Sequence, residues 1–198
     1  MAGIPRNRYA FFLLPAVLGC AVDLITKAWM FAWPELRAGA VYWLWSGHAG
    51  YQLSWNDGAL FGLGQGNVWL FAVLSIAAAV AIPIWLFVFG AARDVWMTVA
   101  LGCVMGGVLG NLYDRLGLHG EVWPPGHPQA GEPVYAVRDW ILWQINDQWR
   151  WPNFNVADSL LVIGAAILVL HALWQPSAPA QPADEKHSPR LHSDAARR

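Results

Sequence analysis

The sequence carries little charge: Asp, Glu, Lys and Arg make up only 13% of its 198 residues. A soluble domain carries about a quarter charged residues, so this shortfall argues against water as the solvent for most of the surface. The charges also nearly cancel, and a formal net charge of −1 gives no indication of nucleic-acid binding. The chain is instead 57% apolar and contains 14 tryptophans, a residue that favours the boundary between water and lipid.

Cysteine is scarce as well. Cys20 and Cys103 both lie inside apolar runs, where they are typical of small buried hydrophobic residues rather than of a disulfide or a metal pair. His48, His119 and His127 have no spacing that matches a metal site. The composition therefore predicts neither a disulfide framework nor a bound metal.

Four apolar runs are long enough for a membrane-spanning helix, which needs about 20 residues. They cover approximately residues 9–33, 68–89, 95–113 and 156–174. Pro83 is expected to kink the second run, and the spacing of Gly106, Gly107 and Gly110 in the third predicts close helix packing. Residues 1–174 form the predicted membrane domain, and 175–198, rich in Pro, Ala, Ser and charge, is expected to be a disordered tail.

The first run follows Arg6 and Arg8, as in a signal peptide, but it continues to Trp33 without a clear cleavage site, so we interpret it as a retained span. An even number of spans puts both termini on one side. The termini and the 90–94 loop hold seven Lys and Arg in under 40 residues, whereas the two long connections hold four in roughly twice that length. The positive-inside rule therefore predicts cytoplasmic termini and external long connections.

The first long connection contains short Gly-punctuated runs at 40–45 and 51–55, which are typical of strands or a small hairpin lying on the membrane surface. The predicted fold class is therefore an all-α membrane protein, in which four transmembrane helices carry a small β-containing extracytoplasmic cover.

The polar residues of the spans and connections fall at one membrane face. Ionisable groups near hydrocarbon are costly, so each is a functional candidate. With the topology above, these residues lie at the outer face: Asp23, Asn56, Asn111, Asp114, Arg115, Asp139, Asn155 and Asp158. Two spans run in each direction across the membrane, so polar residues scattered at random along the chain would be expected at both faces.

Three of the outer acids, Asp114, Asp139 and Asp158, could supply a carboxylate pair. Two carboxylates a few Å apart cannot both ionise, so they share a proton. One can then act as base toward a water while the other polarises a carbonyl, which is the chemistry of metal-free peptide hydrolysis. Spacing alone leaves open which two acids form the pair.

Each of these residues also has a structural interpretation. Asp158 could cap the fourth helix. Asp114 could pair with the adjacent Arg115 or accept hydrogen bonds from loop amides. Asp23 and Lys27, four residues apart on one helix, could form an ion pair that eases insertion. Asp139 lies among apolar neighbours that would desolvate it, so it is harder to interpret as a surface residue.

Two other classes of function compete with hydrolysis. A small proton-coupled transporter or lipid carrier would also place acids in the membrane, but it predicts acids spread through the depth of the bundle. A non-catalytic scaffold gives no reason for acids and asparagines to converge at one face. Cleavage and uptake assays would separate the three.

Five motifs occur in register with the four predicted spans. They are Asp-Leu-Ile-Thr-Lys at 23–27, Asn-Asp-Gly-Ala-Leu-Phe-Gly at 56–62, Gly-Gly-Val-Leu-Gly-Asn-Leu-Tyr-Asp-Arg at 106–115, Val-Arg-Asp-Trp-Ile at 137–141 and Phe-Asn-Val-Ala-Asp at 154–158. On these motifs the chain resembles the lipoprotein signal peptidases (signal peptidase II), which are bacterial inner-membrane aspartyl peptidases. The resemblance covers most of the chain.

The resemblance implies roles that spacing could not assign. It implies a catalytic pair of Asp139 and Asp158, because these match the family's Val-x-Asp and Asn-x-Ala-Asp motifs. It implies a diacylglyceryl-modified prolipoprotein as substrate, cleaved just before the lipidated cysteine, with no metal or organic cofactor. We expect a monomer in the lipid of the inner membrane, with its active site at the periplasmic face. The positions matching supporting or substrate-binding residues are Asp23, Lys27, Asn56, Gly58, Asn111, Asp114, Arg115 and Asn155.

Two departures from the family pattern stand out. The segment 116–136 is longer than the family leads us to expect, and its Gly, Pro, Trp and His content predicts an extra surface loop. Trp140 stands where Phe is expected, which should matter little because both side chains are bulky and apolar.

Overall fold

The computed structural model describes residues 3–58 and 64–174. The predicted tail, 175–198, and part of the second motif, 59–62, lie outside the described residues. The helices are α1 (Asn7–Phe31), α2 (Pro34–Arg37), α3 (Val68–Pro83), α4 (Val95–Arg115) and α5 (Val156–Trp174). After Pro83, α3 continues as a π-helical turn, Ile84–Val88. Among the described residues, four helices are long and apolar enough to cross a membrane, namely α1, α3 with its extension, α4 and α5.

α4 is the central helix of the bundle. In its most apolar stretch of 18 residues, 56% of the residues are buried inside the protein, compared with 11–17% in the corresponding stretches of the other three spans. It packs against α1, α3 and α5. The outer three helices therefore present most of their apolar surface outward, as expected where lipid is the solvent.

Glycines on α4 allow this central position. A Cβ at Gly102 would lie 2.7 Å from the carbonyl oxygen of Phe12 on α1, and one at Gly107 would overlap the carbonyl oxygen of Ala157 on α5. These contacts are to backbone, which cannot move aside locally. The prediction that glycine spacing serves helix packing agrees with this geometry.

The cover is a four-stranded antiparallel sheet in the order β1–β2–β3–β4. Its strands are β1 (Tyr42–Trp45), β2 (Ala49–Asn56), β3 (Val137–Asn146) and β4 (Trp149–Phe154). The hairpin predicted from 40–45 and 51–55 is present as β1 and β2, whereas β3 and β4 were not predicted. The central pair β2–β3 joins the two long connections, with Ser54 opposite Asp139 and Trp55 opposite Arg138.

The cover is attached to the bundle in two ways. A buried apolar cluster, containing Met30, Phe31, Leu36 and Trp140, joins the end of α1 and α2 to β3. In addition, β4 ends at Phe154 and α5 begins two residues later. The sheet is therefore held directly over the ends of α1, α4 and α5, where the polar residues lie.

The segment between α4 and β3 is folded back on itself. A bridge pairs Val122 with Pro133, and Trp123 exchanges backbone hydrogen bonds with Gly131 and Glu132. Its Glu121 forms an ion pair with Arg37 of α2, with 2.5 Å between Oε2 and Nη2. The loop predicted over 116–136 is thus a compact turn structure that contacts α2.

Candidate active site

Asp139 and Asp158 belong to one hydrogen-bond network. Asp139 lies on β3 and is 1% exposed, and Asp158 lies in the first turn of α5 and is 7% exposed. Asn155 Nδ2 donates to Asp139 Oδ1 at 2.6 Å, and Asn111 Nδ2 donates to Asp158 Oδ1 at 2.8 Å. The two asparagines are themselves linked, because Asn155 Nδ2 also donates to Asn111 Oδ1 at 3.2 Å. The structure therefore brings together the two acids that the resemblance paired.

Asn155 and Asp158 also form the N-terminal cap of α5. The Asp158 amide donates to Asn155 Oδ1 at 2.9 Å, and the Asn155 amide donates to Asp158 Oδ2 at 3.2 Å. This is the reciprocal arrangement of a capping box, with the carboxylate at the positive end of the helix dipole. The capping interpretation of Asp158 agrees with this geometry, and its second oxygen remains available to Asn111.

Asn56 and Gly58 define the other side of Asp139. Asn56 Nδ2 donates to Asp139 Oδ2 at 3.1 Å, while its Oδ1 accepts from the Gly58 amide at 3.0 Å. Arg115 Nη2 donates to the Gly58 carbonyl at 2.8 Å. The guanidinium also lies over the Phe71 ring, 5.6 Å from its centroid. Arg115 thus connects the end of α4 to the segment that follows β2.

Lys27 is the centre of a buried ion cluster beneath these groups. Its Nζ lies 2.7 Å from Asp23 Oδ2, 2.9 Å from Asn111 Oδ1 and 3.2 Å from Asp114 Oδ2. An ammonium has three donors, and each finds an acceptor. The ion pair predicted between Asp23 and Lys27 is present, and Asp23 Oδ1 also accepts from the Ala157 amide at 2.8 Å.

Asp114 is paired with Lys27 and with Arg138, a residue to which the sequence motifs assign no role. Arg138 Nη2 and Nε donate to Asp114 Oδ1 at 2.8 and 3.1 Å. Pairing with the adjacent Arg115, one of the two structural interpretations of Asp114, is replaced by this one, because neighbouring residues on a helix do not face each other. A cation inside the apolar run 137–141 was the available signal, since a buried charge requires a partner.

The buried charges nearly balance. The cations are Lys27, Arg115 and Arg138, and the acids are Asp23, Asp114, Asp139 and Asp158. A single proton on the acids makes the buried set neutral, and an unpaired buried charge is expensive. Since Asp23 and Asp114 are directly paired with cations, this proton belongs to Asp139 and Asp158.

The surroundings of Asp139 favour its protonated form. Burial, followed by the negative charge of Asp158, raises the pKa of Asp139 to about 8, although hydrogen bonds from Asn155 and Asn56 oppose the shift. At neutral pH Asp139 therefore holds a proton, as the charge balance requires. Because the two carboxyls titrate as a unit, the proton is a property of the pair.

A cavity of about 290 Å³ lies beside the acids, between α3, α4 and α5. Asp158, Asn111, Asn56 and Arg115 form its polar end, and Asn56 bonds Asp139. Apart from Ser75 and Gly107, the rest of the wall consists of apolar side chains: Phe71, Leu74, Ala78, Val108, Val137 and Leu161. The arrangement suits a long apolar ligand with a polar group near the acids.

Two of the histidines, His48 and His127, pack against tryptophan rings. His48 packs against Trp45, and His127 stacks on Trp123 with 4.0 Å between ring centroids. Within residues 3–58 and 64–174, no group of three or more His, Cys, Asp or Glu side chains has an arrangement that could hold a metal ion.

Fold and site together define a class of protein: a four-span membrane protein with a buried, proton-sharing carboxylate pair at the end of the bundle. A sequence model described as signal peptidase (SPase) II matches residues 15–174. A lipoprotein signal peptidase of Rhodopirellula baltica is 49% identical over 189 residues, covering 95% of this chain and 82% of the relative. The chain belongs to the signal peptidase II family of membrane aspartic peptidases.

Other comparisons agree. A lipoprotein signal peptidase of Pseudomonas syringae pv. tomato is 34% identical, covering 78% of this chain and 80% of the relative. A solved structure of a bacterial membrane enzyme, obtained by the in meso method, superposes with a TM-score of 0.63 at 26% identity. It covers 81% of this chain and 85% of that one. The family resemblance and the fold class predicted from sequence are confirmed.

Proposed function

We propose that this protein is an aspartyl endopeptidase that removes the signal peptide from diacylglyceryl-modified prolipoproteins, cutting just before the lipidated cysteine. The observation that carries the proposal is the position of the acid pair: Asp139 and Asp158 share one asparagine network, and Asp158 lines the polar end of an apolar cavity. Membership of the signal peptidase II family supports it.

The pair hydrolyses the peptide bond in its singly protonated state. The ionised carboxylate takes a proton from water while the water oxygen attacks the carbonyl carbon. The protonated carboxyl donates its proton to the carbonyl oxygen, giving a neutral tetrahedral diol. A proton then passes from one acid to the amide nitrogen as the C–N bond breaks, and the return of the diol proton restores the pair. No metal or organic cofactor takes part in this proposal.

Supporting residues keep the pair in position. Asn111 and Asn155 orient the two carboxyls, and Asn56 holds the second oxygen of Asp139. We assign Arg115 to the substrate backbone because it lines the polar end of the cavity, and Gly58 with it because its carbonyl accepts from Arg115. The apolar wall of the cavity offers a surface for the apolar part of the substrate that adjoins the cleaved bond.

The orientation follows from the distribution of positive charge. Arg6, Arg8 and Arg93 lie at the end of the bundle opposite the acids, so we place both termini in the cytoplasm and the active site at the periplasmic face of the inner membrane. We propose that residues 1–174 act as one peptidase unit and as a monomer, with lipid and prolipoprotein as partners and no nucleic acid.

The test uses purified protein in detergent and a prolipoprotein with or without the diacylglyceryl group. Wild type should release the signal peptide from the lipidated substrate only. Asp139→Asn and Asp158→Asn should each lower kcat by at least about 10³-fold, because one carboxylate cannot supply both proton transfers. The control is Asp147→Asn, an exposed acid in the β3–β4 turn, which should cleave at the wild-type rate.

Two results would contradict different parts of the proposal. Near-normal cleavage by Asp139→Asn or Asp158→Asn, with a normal elution profile, would contradict the assignment of the pair. An inactive wild type on both substrates would contradict the peptidase proposal itself.

A further inference from the structure

We propose that Arg138 is a positioning residue for the peptidase reaction, acting through Asp114 to hold strand β3 so that Asp139 meets Asp158. The inference rests on the proposed function. Arg138 is 4% exposed, so its charge is removed from water and must be compensated inside the protein. Within the described part of the chain, the hydrogen bonds of its guanidinium go to Asp114.

The contact involves both the backbone and the side chain of Arg138. Its amide donates to Asp114 Oδ2 at 2.9 Å, and its guanidinium donates twice to Asp114 Oδ1, at 2.8 and 3.1 Å. Both carboxylate oxygens are therefore held by one residue. The hydrogen bond from the Arg138 amide fixes the strand backbone one residue before Asp139. A displacement of the backbone at this point would move the acid most directly.

α4 provides a common reference for both acids. Asn111 and Asp114 are three residues apart, so they lie on one face of the helix. Asn111 holds Asp158 of α5, while Asp114 holds the backbone of β3 at Arg138. The relative position of the two acids is thus set by two neighbouring side chains of one rigid helix.

The Arg138 side chain lies on the face of β3 opposite to that of Asp139. Successive side chains of a strand point to opposite faces, so Arg138 and Asp139 project in opposite directions. Arg138 lies over the Phe31 ring, 5.9 Å from its centroid, within the cluster that joins α1 to the sheet. A substitution at Arg138 should therefore change kcat while leaving KM nearly unchanged, since substrate binds on the other face.

The charge of Arg138 provides a second readout. The charged groups around the acid pair are Asp23 and Lys27 from α1, Asp114 and Arg115 from α4, and Arg138 from β3. Beyond them, His119 and Glu121 lie in the segment after α4. Burial lowers the pKa of His119, so it is neutral in the alkaline range. Without Arg138, the buried set carries one more negative charge, and the acid pair should release its proton at higher pH.

The experiment compares Arg138→Gln, Arg138→Lys and wild type on the lipidated substrate, with kcat, KM and pH profile measured per folded molecule. Arg138→Gln should lower kcat about 10- to 100-fold, as expected for a displacement near 1 Å, and move the alkaline limb up by about one pH unit. Arg138→Lys should keep the wild-type pH profile but not the full kcat, because an ammonium cannot reproduce the fork of two donors.

Two further variants identify the route and the background. Arg150→Gln, an exposed arginine on strand β4, should behave as wild type in every measurement. Asp114→Asn combined with Arg138→Gln should return the alkaline limb toward its wild-type position, since acid and cation are removed together. Its kcat should be no lower than that of the less active of its two component single variants, Arg138→Gln and Asp114→Asn, if Arg138 acts through Asp114.

The outcomes separate this inference from the proposed function. Wild-type kcat and pH profile in Arg138→Gln would overturn it, as would a lower yield of folded protein with unchanged kcat and unchanged pH profile. Additive losses in the double variant would overturn the route through Asp114. If Arg138→Gln does not fold, Arg138→Lys and the neutral double variant provide the same comparison. An inactive wild type would instead contradict the proposed function.

Discussion

Lys27 Nζ donates to Asn111 Oδ1 at 2.9 Å, and this contact determines which way the Asn111 amide points. An ammonium has no acceptor, so the oxygen of Asn111 must face Lys27 and its NH₂ group must face Asp158. The buried charge of Lys27 on α1 therefore orients the Asn111 amide, and this amide in turn donates to Asp158 on α5.

We predict that Asn111→Asp lowers kcat at least about 100-fold. The substitution keeps the acceptor for Lys27 but replaces the donor to Asp158 with a second carboxylate oxygen, adding repulsion beside the pair. Signal-peptide release at saturating lipidated substrate measures the effect. Asn7→Asp, the same change at the start of α1, is the control and should leave kcat unchanged. Wild-type kcat in Asn111→Asp would show that the amide does not orient Asp158.

Much of the fold was predictable because spans and turns have local signals. Apolar runs of about 20 residues are rare outside membranes. The β1–β2 hairpin is bounded by glycines. The β3–β4 hairpin was missed because the first four residues of β3, Val137–Trp140, are all buried, so the strand does not show the alternation typical of a half-exposed one.

The residues of the site could be predicted from the sequence, but not all of the contacts among them. The family motifs identified the acids and asparagines, and the structure brings them into one network. The pairing of Asp114 with Arg138 could not be predicted from spacing, because more than 20 residues separate the two in sequence and only the fold brings β3 to the end of α4. Adjacency in sequence favoured Arg115, which helix geometry directs elsewhere.

Activity should fall as the pH rises through about 8. Burial is the main cause that raises the pKa of Asp139 to about 8. Below this pH the acid pair holds its shared proton, and above it both acids are ionised. A profile of kcat against pH on the lipidated substrate should show this alkaline limb in wild type and in the Asp147→Asn control. A profile that stays flat to strongly alkaline pH would contradict proton sharing.

The same shift has a consequence for stability. An aspartate in the unfolded chain titrates near pH 4, so the folded protein binds the extra proton between about pH 4 and 8. The contribution of Asp139 therefore destabilises the folded state progressively as pH rises through this window. Asp139→Asn should remove that part of the pH dependence and melt at a higher temperature than wild type at pH 9. An identical pH dependence of melting would contradict the raised pKa.

Gly110 of α4 should not tolerate alanine. A Cβ there would overlap Asp23 Oδ2 and lie 3.3 Å from the Ala157 Cβ. Asp23 cannot turn away freely, because Lys27 and the Ala157 amide hold its two oxygens. We expect Gly110→Ala to lower both the melting temperature and kcat.

The matched control for Gly110→Ala is Gly19→Ala on α1. The Cβ at Gly19 would meet only the flexible end of Leu160, and alanine is the better helix former by about 1 kcal/mol. Gly19→Ala should therefore retain wild-type activity and stability. Equal losses in both variants would show that contact with Asp23 is not the cause.

Lys27→Met should be among the most destabilising substitutions in the chain. Its side chain is fully buried and satisfies Asp23 and Asp114 together, so its loss leaves two buried carboxylates short of a cation. Removing one partner of a buried pair typically costs about 3–5 kcal/mol. Thermal melting in detergent should show a large decrease, and adding Asp23→Asn should recover part of it, because the double variant restores the charge balance of the buried set. A double variant less stable than Lys27→Met would mean that the hydrogen bond that Asp23 accepts from the Ala157 amide outweighs the charge that Lys27 compensates.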